Sequence, residues 1–369
     1  MLRDEAVTRD ANSGRLDVLQ FARGGAATAV VLYHANDFIL PLRLYDGGIA
    51  WRGFGWGYAG VEFFFVLSGF IIAFVHQRDI GQPARVVRFL LKRVLRIYPM
   101  YWLVLTSLLL AYLLVPTLGM TRPESEHVLS AYLLWPSGER PVLPVAWTLK
   151  HEMLFYIVFV CLLIHAQFGK AVFLVWMGGC FICLFLPDLP FPAAFYLSPY
   201  NLLFAVGMAV FYIQPVLRQS IARTLTIAGV LLFVGVGMSE QFLFPWPLAA
   251  RTLAYGFAAG LLVAGAIQLR MRTPAAAVLV GDASYAIYLV HLPVMNACAI
   301  LLKKGELVPM SHPLLMCLAL ATAAVAAGVI FHLLVERPLQ GWLSKVRVRR
   351  AARDVRAVTT GVGQGNARS

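Results

Sequence analysis

Apolar runs of about 17–25 residues recur from Ala22 to Val335, separated by short polar or charged segments. Each is long enough to cross a hydrocarbon core about 30 Å thick as an α-helix. Spans are predicted near 22–40, 58–76, 98–116, 146–165, 171–187, 195–213, 224–240, 248–269, 275–302 and 313–335. The pattern predicts an all-α fold, a polytopic integral membrane helical bundle of about ten transmembrane helices. A polar N-terminal segment (1–21), the transmembrane domain (22–338) and a basic tail (339–369) divide the chain. The first span is the least apolar, because it carries His34, Asn36 and Asp37. No internal repeat is evident, which counts against transporter folds built from inverted halves. Residues 1–22 are polar and charged, so a span following directly is expected in place of a cleavable signal peptide.

Composition agrees with this setting: 60% of residues are hydrophobic, 13% are charged and the mean hydropathy is +0.74. The net charge of +13 needs no nucleic-acid partner to explain it. With the N-terminus in the cytoplasm, most of the 31 lysines and arginines fall on the inner side. Both termini are then cytoplasmic and the number of spans is even. The basic tail Lys345–Arg356 reads as a retention signal and a contact for anionic membrane lipids. Cys180 and Cys183 have redox or metal spacing, but no second pair accompanies them, so they read as small apolar residues and no metal is expected.

Against this apolar background, ionisable residues inside spans are informative. Hydrocarbon penalises them, so they face a bundle interior or a watery cavity. Arg23 and His34 are eleven residues apart, which puts both on one helix face about 16 Å apart along the axis. Arg23 then lies at the inner face and His34 past the midplane. Glu152 falls in the outer turns of the fourth span, after Lys150 and His151, and His291 about 24 Å along the ninth. His34, Glu152 and His291 are expected to converge at similar depth, with Pro293 kinking the helix near them.

On the inner side, Arg85–Pro99 (RVVRFLLKRVLRIYP) reads as an amphipathic helix ended by its proline. Its cations suit lipid anchoring, or equally a clamp for a polyanionic ligand, because guanidinium groups bind phosphate bidentately. Trp102 and Trp147 read as members of interfacial aromatic belts. His76, His127, His165, His312 and His332 show no partner pattern.

Six motifs in order carry a family resemblance. They are RLDVLQFARGGAATAVVLYH (Arg15–His34), GVEFFFVLSGFII (Gly60–Ile72), FLLKRVLRIYPMYW (Phe89–Trp102), WTLKHEMLFY (Trp147–Tyr156), SYAIYLVH (Ser284–His291) and VERPL (Val335–Leu339). Together they resemble the membrane acyltransferase 3 family, in its branch that decorates bacterial exopolysaccharides. The ten-residue gap between Arg23 and His34 matches the family pattern, and Glu62 stands where an aspartate is common. Glu62 itself reads as structural, holding the Ser68–Gly69 contact region or pairing with an arginine. The resemblance has no extracytoplasmic hydrolase-like domain attached to it.

The resemblance implies a bacterial inner-membrane O-acyltransferase. It would move an acyl group, often acetyl, from cytoplasmic acyl-coenzyme A to a hydroxyl of an exopolysaccharide or lipid-linked glycan. Arg23, Arg93 and Arg96 match the family's inner arginines and would bind the coenzyme phosphates. His34 matches its essential histidine and would act as a general base or as a transient acyl carrier. Glu152 would orient or stabilise its imidazolium, His291 would do the same or contact the acceptor, and Asp37 is a further possible orienter. On physics alone, a proton-coupled carrier of an anionic metabolite or lipid-linked sugar would use the same buried groups. A lipid-binding scaffold explains the tail but not those groups. An arginine cluster on the inner side paired with a histidine on the outer side is what separates an acyltransferase from both.

Overall fold

The computed structural model describes residues 2–115, 125–186, 189–269, 273–306, 312–343 and 345. Of the expected basic tail (339–369), residues 339–343 and 345 are described and the rest lies outside the described residues. Those residues form helices and turns, with no strand among them.

Helix α1 (Leu2–His34) continues into a wide π-type turn, Ala35–Leu44. A 3-10 segment (Arg52–Ala59) then leads into α2 (Gly60–His76). Helix α3 (Val86–Leu114), a short α4 (Ser125–Leu133), α5 (Ala146–Ile164) and α6 (Ala166–Cys183) follow. Next come the single turn α7 (Ala193–Tyr196), α8 (Leu202–Ile213), α9 (Ala222–Phe242) and α10 (Leu248–Ala266). The series closes with α11 (Ala275–Asp282), α12 (Ser284–Lys304) and α13 (Pro313–Phe331).

Nine helical stretches among the described residues are long and apolar enough to cross a membrane, and they match nine of the ten expected runs. The tenth, around 22–40, is helical but too polar for that criterion. Its position explains why. Helix α1 packs against α2, α11, α12 and α13, with Ala27, Val30 and Val31 buried, so protein surrounds it where lipid would otherwise be. The stretch Arg52–Asp79 that contains α2 is central too: 67% of its most apolar part is buried, against 11% for the peripheral α6. Leucines 113 and 114 and Val175, all mainly exposed, present the apolar outside expected of a bundle in lipid.

Close helix contacts rest on small residues, the usual device where apolar burial cannot drive helices together. A Cβ on Gly69 would lie 2.1 Å from the Phe204 carbonyl oxygen, and one on Gly207 would lie 1.8 Å from that of Val66. Thus α2 and α8 touch backbone to backbone. Similarly, Gly281 brings α11 onto α1, where an added Cβ would lie 2.0 Å from the Gln20 carbonyl oxygen.

Two expected boundaries are corrected. Pro99 does not end the basic helix, because α3 runs through it from the amphipathic segment into the span. A proline lacks only one backbone donor, and neighbouring helices make that loss tolerable in membranes. The ninth span, expected to be continuous from 275, is instead broken at Ala283 into α11 and α12. His291 is therefore only two turns into its helix. Helix α12 passes through Pro293 without ending.

Candidate active site

Two of the three residues expected to converge do meet. His34, the last residue of α1, sits beside His291 of α12, with His34 Nδ1 3.1 Å from His291 Nε2. Each Nδ1 also faces a carbonyl one turn back along its own helix: Val30 at 2.9 Å for His34 and Ile287 at 3.1 Å for His291. A carbonyl can only accept, so in the neutral rings both Nδ1 atoms carry the proton. His291 Nε2 is then an acceptor toward the Nδ1–H of His34. The lone pair of His34 Nε2 points away from both of these bonds and has no hydrogen-bond partner among the described residues, so it can act as a base. His291 is wholly buried, His34 is half-buried, and the rings of Tyr33 and Phe38 flank His34 at 5.0 and 5.3 Å.

Glu152 is elsewhere. It lines a cavity of about 110 Å³ together with Arg23, Arg93 and Arg96. Its carboxylate accepts from the Tyr156 hydroxyl, one turn on, and from Ser68 Oγ at 3.4 Å. The register explains the displacement. The hydroxyls of Thr148 on α5 and Tyr288 on α12 lie 3.0 Å apart and fix the relative level of these helices, which run in opposite directions. Four residues on from Thr148 and three on from Tyr288 lead away from each other, separating Glu152 and His291 by about 10 Å along the axis. The expected convergence of Glu152 with the two histidines is thus not found; Glu152 belongs with the arginines.

All three expected arginines line that one cavity, although they come from α1 and α3. Arg93 is buried between the rings of Phe89 and Tyr156, each 5.6 Å from its guanidinium carbon. Arg23 donates to Gln20 Oε1 at 2.9 Å, and Arg96 is exposed. Tyr288 connects the two regions: it lines the cavity, and its ring lies 5.9 Å from that of His291.

Residues 16–333 match the model of an acyltransferase domain, the acyltransferase 3 family. The chain belongs to the acyltransferase 3 family. It is an acyltransferase of multi-pass membrane architecture. The "Exopolysaccharide production protein ExoZ" of Rhizobium meliloti (strain 1021) is 32% identical to this acyltransferase over 317 residues, 80% of this chain and 92% of that protein. No solved structure matches the chain.

Two sequence expectations about nearby carboxylates in this acyltransferase are corrected. Among the described residues, Asp37 makes no hydrogen bond or ion pair with an imidazole; it lies in the wide turn beginning at Ala35, and Asn36 Nδ2 donates to it at 2.9 Å. Asn36 also clamps the loop at Ala50 and Trp51 through their backbone groups. Among the described residues, Glu62 makes no ion pair with an arginine. It is 1% exposed, and neither carboxylate oxygen has a partner among the described residues.

Sequence reasoning also missed Ser68, Tyr156, Tyr288 and His76. Tyr156 had a usable signal, since it follows Glu152 by four residues and shares its helix face. His76 had none: its partner Arg93 is 17 residues away on another helix.

Proposed function

We propose that this enzyme transfers an acyl group, acetyl, from cytoplasmic acyl-coenzyme A to a hydroxyl of an exopolysaccharide or lipid-linked glycan. The observation carrying the reading is a cavity lined by three arginines that adjoins, through Tyr288, a histidine pair with a free Nε2 lone pair. Guanidinium groups suit the phosphates of the coenzyme. That the Rhizobium relative is an exopolysaccharide production protein supports an extracellular carbohydrate as acceptor. The distribution of cations supports a bacterial inner-membrane location with both termini cytoplasmic.

The chemistry follows from the tautomers. His34 Nε2 accepts the proton of the sugar hydroxyl as its oxygen attacks the thioester carbonyl carbon. The carbon–sulfur bond breaks, and the leaving thiolate takes that proton from the imidazolium to give the free thiol. His291 Nε2 meanwhile accepts from His34 Nδ1–H, which holds the ring in place and spreads the transient positive charge. Glu152, bonded to Tyr156 and Ser68, sets the shape and charge of the arginine cavity.

The test uses the purified protein in lipid with radiolabelled acetyl-coenzyme A and candidate glycans. Label passing to the glycan is expected. No donor turnover with any glycan, or transport of unmodified glycan without donor, would overturn the reading. Replacing Arg93 with alanine is expected to raise the donor KM by about tenfold or more, the value of a charged hydrogen bond. Arg93→Lys should restore little of that, because an ammonium lacks the planar fork. Full recovery with lysine would reduce Arg93 to a point charge.

A further inference from the structure

Arg93 is held in an unusual way for a buried cation. Its Nη2 donates to His76 Nε2 at 3.0 Å, and His76 Nδ1 lies 2.8 Å from Asp79 Oδ2. Since Nε2 accepts from a guanidinium that has no lone pair to offer, the imidazole proton is on Nδ1 and is donated to Asp79. The carboxylate therefore reaches the arginine only through a neutral ring. His76 is 3% exposed at the end of α2, with Phe89 edge-on to it at 4.9 Å. Arg93 Nε is buried and has no partner among the described residues.

The same arrangement recurs across the cavity. Arg23 donates to Gln20 Oε1 at 2.9 Å, and Gln20 Nε2 donates to Asp282 Oδ1 at 2.6 Å. Among the described residues, no carboxylate lies within ion-pair distance of Arg23 or Arg93. A direct carboxylate partner would also fix a guanidinium, but it would cancel most of the charge that attracts an anion. An intervening imidazole or amide orients the fork and leaves its charge for a ligand. Two independent instances lining one cavity make a simple helix tether an inadequate account.

We propose that His76 with Asp79, and Gln20 with Asp282, are positioning pairs that aim Arg93 and Arg23 at the phosphates of the acyl donor while leaving both cations un-neutralised. The inference rests on the donor reading above; His76, Asp79 and Asp282 lie outside the family motifs, and Gln20 lies within the first of them.

The protein in lipid nanodiscs decides it. Expected for His76→Ala is a donor KM raised about tenfold, one charged hydrogen bond's worth, with kcat nearly unchanged. His76→Gln, whose amide can accept from Arg93 and donate to Asp79, should recover most of the loss. In an Arg93→Ala background, His76→Ala should add nothing. Equal losses in kcat and KM, additivity with Arg93→Ala, or no recovery with glutamine would overturn the proposal. A second readout needs no donor. Modification of Arg93 by phenylglyoxal, followed by mass spectrometry, should speed up in His76→Ala and not in His76→Gln; an unchanged rate in His76→Ala would also overturn it. If the wild-type protein fails to use coenzyme A thioesters, the donor reading falls, and the labelling rates still decide whether His76 positions Arg93.

Discussion

Replacing His34 with alanine is expected to abolish acyl transfer while the protein still inserts and accumulates. General-base catalysis contributes about 10²–10⁴-fold, so turnover of labelled donor should fall by at least that lower figure. His291 cannot substitute. Its Nδ1 is committed to the Ile287 carbonyl, its Nε2 faces His34, and it is completely buried. Insertion should survive because the change makes the least apolar span more apolar. The check is acetyl transfer per unit of protein, with abundance read by immunoblot from the same membranes. Transfer at the wild-type rate with normal abundance would remove His34 from the chemistry.

Replacing Gly207 with valine should have the opposite character, with loss of the folded protein and loss of activity only as a consequence. A Cβ there would lie 1.8 Å from the Val66 carbonyl oxygen and 2.6 Å from the Phe70 amide nitrogen. Both obstacles are backbone, so no rotamer change relieves them. Overpacking a well-filled core costs about 1–3 kcal/mol even when side chains can shift, and separating two helices costs more. Since α2 also supplies Ser68 and several apolar walls of the cavity, the arginine site should open with it. The expected measurement is a lower melting temperature in detergent and reduced accumulation in membranes. A Gly207→Val protein with wild-type stability would show that α2 and α8 do not pack this closely.

The apolar runs made most of the architecture legible, because a bilayer leaves a chain few ways to satisfy its backbone. The break at Ala283 was hidden in a mainly apolar run, AAAVLVGDASYAIYLVH, where only Gly281, Asp282 and Ser284 interrupt the pattern and no proline marks a helix end. Of the site, His34 and His291 were legible as rare ionisable groups in apolar runs, and the arginines by their spacing. Glu152 was misplaced because counting along a helix gives axial position but not register against neighbours. That register depends on the hydroxyl contact between Thr148 and Tyr288. The intermediaries His76 and Gln20 were invisible for a related reason, since each matters through partners on a different helix or at the far end of the chain.

The central position of α1 bears on how the protein is made. Its neighbours α11, α12 and α13 are the last helices to leave the ribosome, and α1 is the first. During synthesis the helix bearing Arg23 and His34 is complete long before α11, α12 and α13 exist to pack against it. The groups proposed here for the chemistry are thus the ones whose environment is completed last.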